Sequence, residues 1–112
     1  MLKKIDNYTF VCNSRNTRSG FAHDCTLYEG DYEIATATCH YLNRTWECYQ
    51  YQTVMHKAVR NAMDNIENSC LFVFKREKGY EKMTAKRKEE FEKFLAETED
   101  YGRLKNLYLA LN

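Results

Sequence analysis

Tyr41-Leu42-Asn43-Arg44-Thr45-Trp46-Glu47-Cys48-Tyr49-Gln50-Tyr51-Gln52-Thr53-Val54 decides the fold, because an apolar pattern of period two ends within it and one of helical period begins. The stretch holds the only Trp of the chain. It reads as the seam between a small sheet and a long helix.

Upstream of the seam, Tyr8 to Asn13 alternates bulky and β-branched residues and reads as a first strand. Ser14 to Gly20 is polar, carries Arg15 and Arg18, and reads as a loop of the kind that often holds binding residues. Phe21 to Tyr28 and Tyr32 to Tyr41 form a hairpin, since Gly30-Asp31 places Gly first, as a type II′ turn requires. That turn sets Leu27 opposite Ile34. Phe21, His23, Cys25 and Leu27 then share a face with Ile34, Thr36, Thr38 and His40, while Ala35, Ala37, Cys39 and Tyr41 take the other.

Downstream, Tyr51, Val54, Met55, Ala58, Val59, Ala62, Met63 and Ile66 recur at helical spacing. Cys70-Leu71-Phe72-Val73-Phe74 has the composition of a strand, yet Cys70, Val73 and Phe74 continue the same stripe. Lys75-Arg76-Glu77-Lys78-Gly79 reads as a helix C-terminus, with cations at the negative end of the dipole and Gly at the cap. One helix over about 51–78 is therefore expected. Thr84 suits an N-cap for a helix from Ala85 to about Thr98, and Tyr101, Leu104, Leu107, Tyr108 and Leu111 suggest a terminal helix. The expected fold is α+β: a three-stranded antiparallel meander followed by a long amphipathic helix and a C-terminal helical segment. All 112 residues are expected to form a single domain.

The charges nearly cancel, 17 Lys plus Arg against 16 Asp plus Glu, so no global basic field draws the chain onto nucleic acid or anionic lipid. Any such binding must come from a local patch. No stretch approaches the roughly 20 apolar residues that span a bilayer, and Met1 to Asn7 lacks the apolar run of a signal peptide. A cytoplasmic protein is expected, and its odd number of cysteines, 5, argues for reduced thiols rather than a disulfide framework.

Candidate chemistry is sparse. His23 and Cys25 lie two apart on one strand face, but no Gly-rich elbow or nearby acid accompanies them, so no catalytic residue is assigned. Zinc needs four thiolate or imidazole ligands in a tetrahedron, and Cys12, His23, Cys25, Cys39 and His40 are the candidates for it. Alternation turns Cys39 away from His23 unless a β-bulge intervenes. The competing view makes the cysteines small core residues, with no cofactor required. Strands followed by a helix also occur in double-stranded-RNA-binding domains, and Arg15, Arg18, Arg44, Lys57 and Arg60 are candidates for phosphate contact. The Lys-Lys cluster expected at the helix entry is replaced by Tyr49-Gln50-Tyr51-Gln52-Thr53. Trp46 and Tyr49 either close the core or, with Arg44, form a protein-binding surface, since Trp, Tyr and Arg dominate interface hot spots.

Gly20-Phe21-Ala22-His23, Tyr41 to Glu47 leading into Tyr51-Gln52-Thr53-Val54, and Met83 to Phe91 resemble small proteins of unassigned activity carried by phages and mobile elements of Gram-positive bacteria. Some small proteins from that setting are anti-CRISPR inhibitors of type II Cas9 nucleases. The resemblance implies a non-enzymatic protein in the cytoplasm of the host bacterium that binds a Cas9-type nuclease. Partner contact is then expected at Arg15, Arg18, Arg44, Trp46 and Tyr49. The alternatives are a small RNA- or DNA-binding regulatory module and a zinc-stabilised structural protein.

Overall fold

The structure, a computed structural model of the chain, describes residues 1–42, 51–79 and 82–111. It is α+β, with an antiparallel sheet followed by helices, as the two periodicities require. Among the described residues the sheet has four strands, β1 (Leu2–Ile5), β2 (Tyr8–Thr17), β3 (Gly20–Glu29) and β4 (Tyr32–Tyr41), in that spatial order. Three helices follow among the described residues: α1 (Gln52–Lys78), α2 (Ala85–Ala96) and α3 (Glu99–Ala110).

Two corrections to the sequence reading concern the sheet. The expected three strands become four because Leu2–Ile5 folds back on β2 through Asp6-Asn7, with Asp6 at φ 53, a left-handed turn that Asp tolerates. The expected loop at 14–20 shrinks to Arg18-Ser19, since Ser14 to Thr17 continue β2 and pair with residues 20–23 of β3. Backbone pairing carries that extension, because three of those four residues are exposed.

A third correction reverses β4. Gly30 has φ 60 while Asp31 stays at negative φ, so the turn is of the expected type II′ rather than I′. A β-bulge between Leu27 and Tyr28 then shifts the register, and Leu27 pairs with Ala35 instead of Ile34. Because side chains alternate, that one-residue slip puts Ala35, Ala37, Cys39 and Tyr41 on the core face and Thr36, Thr38 and His40 on the other.

The core lies between the sheet and α1 with α3. Phe10, Cys12, Cys25, Leu27 and Ala37 meet Val54, Ala58, Val59 and Met63 of α1 and Leu104, Leu107 and Leu111 of α3. Gln52 at the start of α1 donates to the carbonyl of Leu111, tying the chain's last turn to the seam. At about 1.5 Å per residue the 27 residues of α1 span most of the molecule's 48 Å long axis. Its far half leaves the sheet and builds a second cluster, in which Phe74 packs on Phe91 and Leu95 of α2. The segment at 70–75 is thus helical, as the apolar stripe predicted.

Candidate functional site

The loop-bearing end of the sheet, where β2 turns into β3 and β4 leaves for the seam, holds most of the residues singled out above. Ser14, His23 and Cys39 lie side by side across three strands, with Asn16, Phe21 and Tyr41 in the next row. His23 is fully buried. Its ring lies 4.5 Å from that of Tyr51, 5.2 Å from Tyr41 and 5.5 Å from Phe21, and Phe21 stacks on Tyr41 at 5.0 Å. The Tyr51 hydroxyl shares a 2.9 Å hydrogen bond with that of Ser14, so the first residue before α1 is pinned to β2. This packing locks the helix entry to the sheet and leaves the imidazole no path to solvent.

Cys12 and Cys25 are cross-strand partners, 1% and 2% exposed. The backbone N–H of Cys12 donates to Met1 and its carbonyl accepts from the Met1 amine, so both its polar groups face β1. The pair is therefore of the non-hydrogen-bonded type towards β3, in which side chains approach most closely. The thiols interact. The hydrogen bond from Cys25 lowers the Cys12 thiol from its ordinary value, whereas the same bond, with burial, pushes the Cys25 thiol up.

The bulge brings Cys39 onto the core face opposite His23, the condition that zinc binding demanded. His40 goes the other way and is exposed on the outer face. Cys12, Cys25, His23 and Cys39 are thus spread along one face, and among the described residues no group of three or more His, Cys, Asp or Glu side chains is placed to hold a metal ion.

The outer face of the sheet is polar. Arg15 donates to Asp24 at 2.8 Å, and Asp24 also accepts from the Thr38 hydroxyl at 2.7 Å. The hydrogen bond from Arg15, followed by that from Thr38, lowers the Asp24 carboxyl from its ordinary value. Arg15 is thereby committed within the sheet. Arg18, at the turn, is exposed and among the described residues forms no ion pair. Leu42, whose carbonyl with that of Tyr41 closes over Gly20, is 75% exposed at the same end. Arg44, Trp46 and Tyr49 lie outside the described residues.

Two features escaped the sequence reading. Lys57 and Asn61 of α1 donate to the carbonyls of Thr38 and Thr36 at 2.7 and 2.9 Å, covering the β4 edge of the sheet. Lys57, expected as a phosphate contact, is used in this way. Their spacing of four on α1 was the only sign available. Near the β1–β2 turn, Arg103 bridges Glu29 at 3.5 Å, Glu99 at 3.3 Å and Asp100 beside a cleft of about 490 Å³ lined by Asn7, Tyr8 and Asn106. Burial pushes the Tyr8 phenol up, and a hydrogen bond with Arg103 pulls it partly back. Comparison with protein-family models, with curated proteins and with solved structures found no match to this chain.

Proposed function

We propose that this chain is a non-enzymatic protein that binds and inhibits a host defence nuclease of the Cas9 type by stoichiometric contact, working in the cytoplasm of a bacterial host. Its resemblance to small phage and mobile-element proteins suggests the target. The observation that supports a binding role is the fate of the reactive groups. His23 is enclosed by rings and Arg15 is held by Asp24, while Arg18 and Leu42 stand exposed at one end of the sheet. That end, with Arg44, Trp46 and Tyr49 of the adjoining seam, is the partner surface in this reading, because Trp, Tyr and Arg dominate the hot spots of protein interfaces.

Plasmid interference by a Cas9-type nuclease, in cells that accumulate the folded protein, tests this directly. Blocked interference is expected, with Arg18→Glu or Arg44→Glu restoring cleavage while the thermal midpoint stays within about 2 °C of wild type. Unimpaired cleavage with abundant folded protein sinks the nuclease target. The zinc-stabilised alternative is decided by elemental analysis, where about one zinc per chain would replace this reading with a structural one. The nucleic-acid alternative draws support from the opposite end of α1, where cations gather.

A further inference from the structure

The near-neutral charge of the chain hides a segregation. Between residues 75 and 88 only Glu77 and Glu81 offset a run of cations, so the remainder of the chain is net negative. Folding gathers this run at one elbow. Lys75, Arg76 and Lys78 form the last turn of α1, Lys82 lies in the link, and Lys86 and Lys88 sit in the first turn of α2. All but Lys75 are exposed.

Their placement is only partly explained by the fold. Cations suit the C-terminal end of α1, but Lys86 and Lys88 oppose the positive end of the α2 dipole, where no acid stands in the first turn. The one cation of α2 with a clear structural duty is Arg87. It donates to the carbonyls of Gly79 at 2.9 Å and Lys78 at 3.4 Å and lies 5.3 Å from the Phe74 ring centroid. Among the described residues, none of the other elbow cations forms an ion pair. Glu89, Glu90 and Glu92 follow in the body of α2, which confines the positive surface to the elbow.

A second observation is aromatic. Phe72 is 62% exposed, and the guanidinium of Arg76, one turn later, stands 5.9 Å from its ring centroid. Phe74, two residues on, is buried against Phe91, so Phe72 faces away from α2. An exposed ring with a guanidinium beside it can take a base on its face and the adjoining phosphate on the cation.

We propose that a single strand of nucleic acid wraps around the α1–α2 elbow, its backbone phosphates held by Lys78, Lys82, Lys86 and Lys88 on the α2 side and by Arg76 on the far side of α1, where a base stacks on Phe72. A duplex keeps its bases stacked on one another and makes no use of Phe72. The site goes beyond the nuclease-inhibitor reading and lies at the other end of α1, so either can fail alone.

Fluorescence anisotropy with a labelled oligothymidylate of roughly 16 nucleotides tests the proposal, with a duplex of equal length and anionic phosphatidylglycerol vesicles as competitors. Wild type is expected to bind the single strand, more weakly as salt rises, with a log–log slope of about −0.7 per phosphate held. Lys86→Glu with Lys88→Glu should weaken binding at least about tenfold, and Phe72→Ala by about tenfold. Lys3→Glu with Lys4→Glu, an equal charge change on β1, should leave it within about twofold. Circular dichroism of each variant confirms folding, and Phe72→Tyr, which keeps the ring, should restore affinity if Phe72→Ala misfolds. The proposal is overturned by absence of single-strand binding, by equal loss in the elbow and β1 variants, or by competition that favours the duplex or the vesicles.

Discussion

Gly20 lies so close to the end of β4 that a Cβ placed on it would stand 2.0 Å from the carbonyl oxygen of Tyr41 and 2.8 Å from that of Leu42. Both contacts are with backbone, which cannot swing aside. Gly20→Ala must therefore push β4 away from the β2–β3 turn, at a cost of about 3 kcal/mol. Gly102, within α3, has nothing within 4 Å of the same added atom. There Ala removes backbone freedom from the unfolded chain, and Gly102→Ala should stabilise by about 0.5–1 kcal/mol. Urea denaturation of the two variants should give midpoints on opposite sides of wild type, and a harmless Gly20→Ala would refute the close approach.

The buried thiol pair makes a second prediction. Cys12 and Cys25 are sealed in the core, and the Cys25 thiol is raised by its hydrogen bond and by burial, so it offers little thiolate to an electrophile. Iodoacetamide on the folded protein should modify the half-buried Cys39 or Cys70 before either core thiol, with Cys12 and Cys25 reacting only after denaturation. Peptide mapping reads the order. Early modification of Cys25 would show that the β2–β3 ladder opens in the native state.

Acid sensitivity should localise to the outer sheet face. The Asp24 carboxyl is held below its ordinary value by Arg15 and Thr38, so the fold favours its ionised form. The stabilisation is complete above the ordinary carboxylate range, near about pH 4, and is lost as pH falls through the lowered folded value. For a partly exposed pair it amounts to about 0.5–1 kcal/mol. Thermal midpoints of wild type and Asp24→Asn should differ at about pH 6 and converge at about pH 2. A gap that persists in acid would assign the effect to packing.

The junction of α1 and α2 is held by two caps that differ in reach. Thr84 accepts from the backbone N–H of Arg87 at 3.3 Å, and Thr84→Ala should cost about 1 kcal/mol. Arg87→Ala removes hydrogen bonds to Lys78 and Gly79 and the guanidinium beside Phe74, and should cost about 2 kcal/mol. Amide hydrogen exchange should show the last turn of α1 loosened by Arg87→Ala and left intact by Thr84→Ala.

The parts legible in the sequence were those whose signal is local. The helical stripe from Tyr51 to Phe74, the positive φ at Gly79, the Thr84 cap and the Gly30-Asp31 turn each rest on residues within a few positions of one another. The bulge between Leu27 and Tyr28 is hidden because a two-residue turn by itself dictates the unbulged register. The polarity of Thr36, Thr38 and His40 against Ala35, Ala37 and Cys39 already pointed to the observed faces. β1 was hidden by its brevity, and the continuation of β2 through Ser14 to Thr17 by its lack of apolar residues. Of the residues expected at a partner surface, Arg18 does lie exposed at the turn, whereas Arg15 lies in β2, and that it spends its charge on Asp24 is a cross-strand relation that no local pattern carries.

The contacts from Lys57 and Asn61 to the carbonyls of Thr38 and Thr36 make the sheet one-sided in its capacity to grow. On that flank an incoming extended segment would have to displace two helix side chains before making its first ladder bond. Among the described residues the other flank, at Leu2–Ile5, has no strand beyond it in the sheet. Two molecules meeting edge to edge through β1 would bury that flank in both, leaving, among the described residues, the β4 flank with its Lys57 and Asn61 contacts at each end of the pair, which favours a pair over a filament.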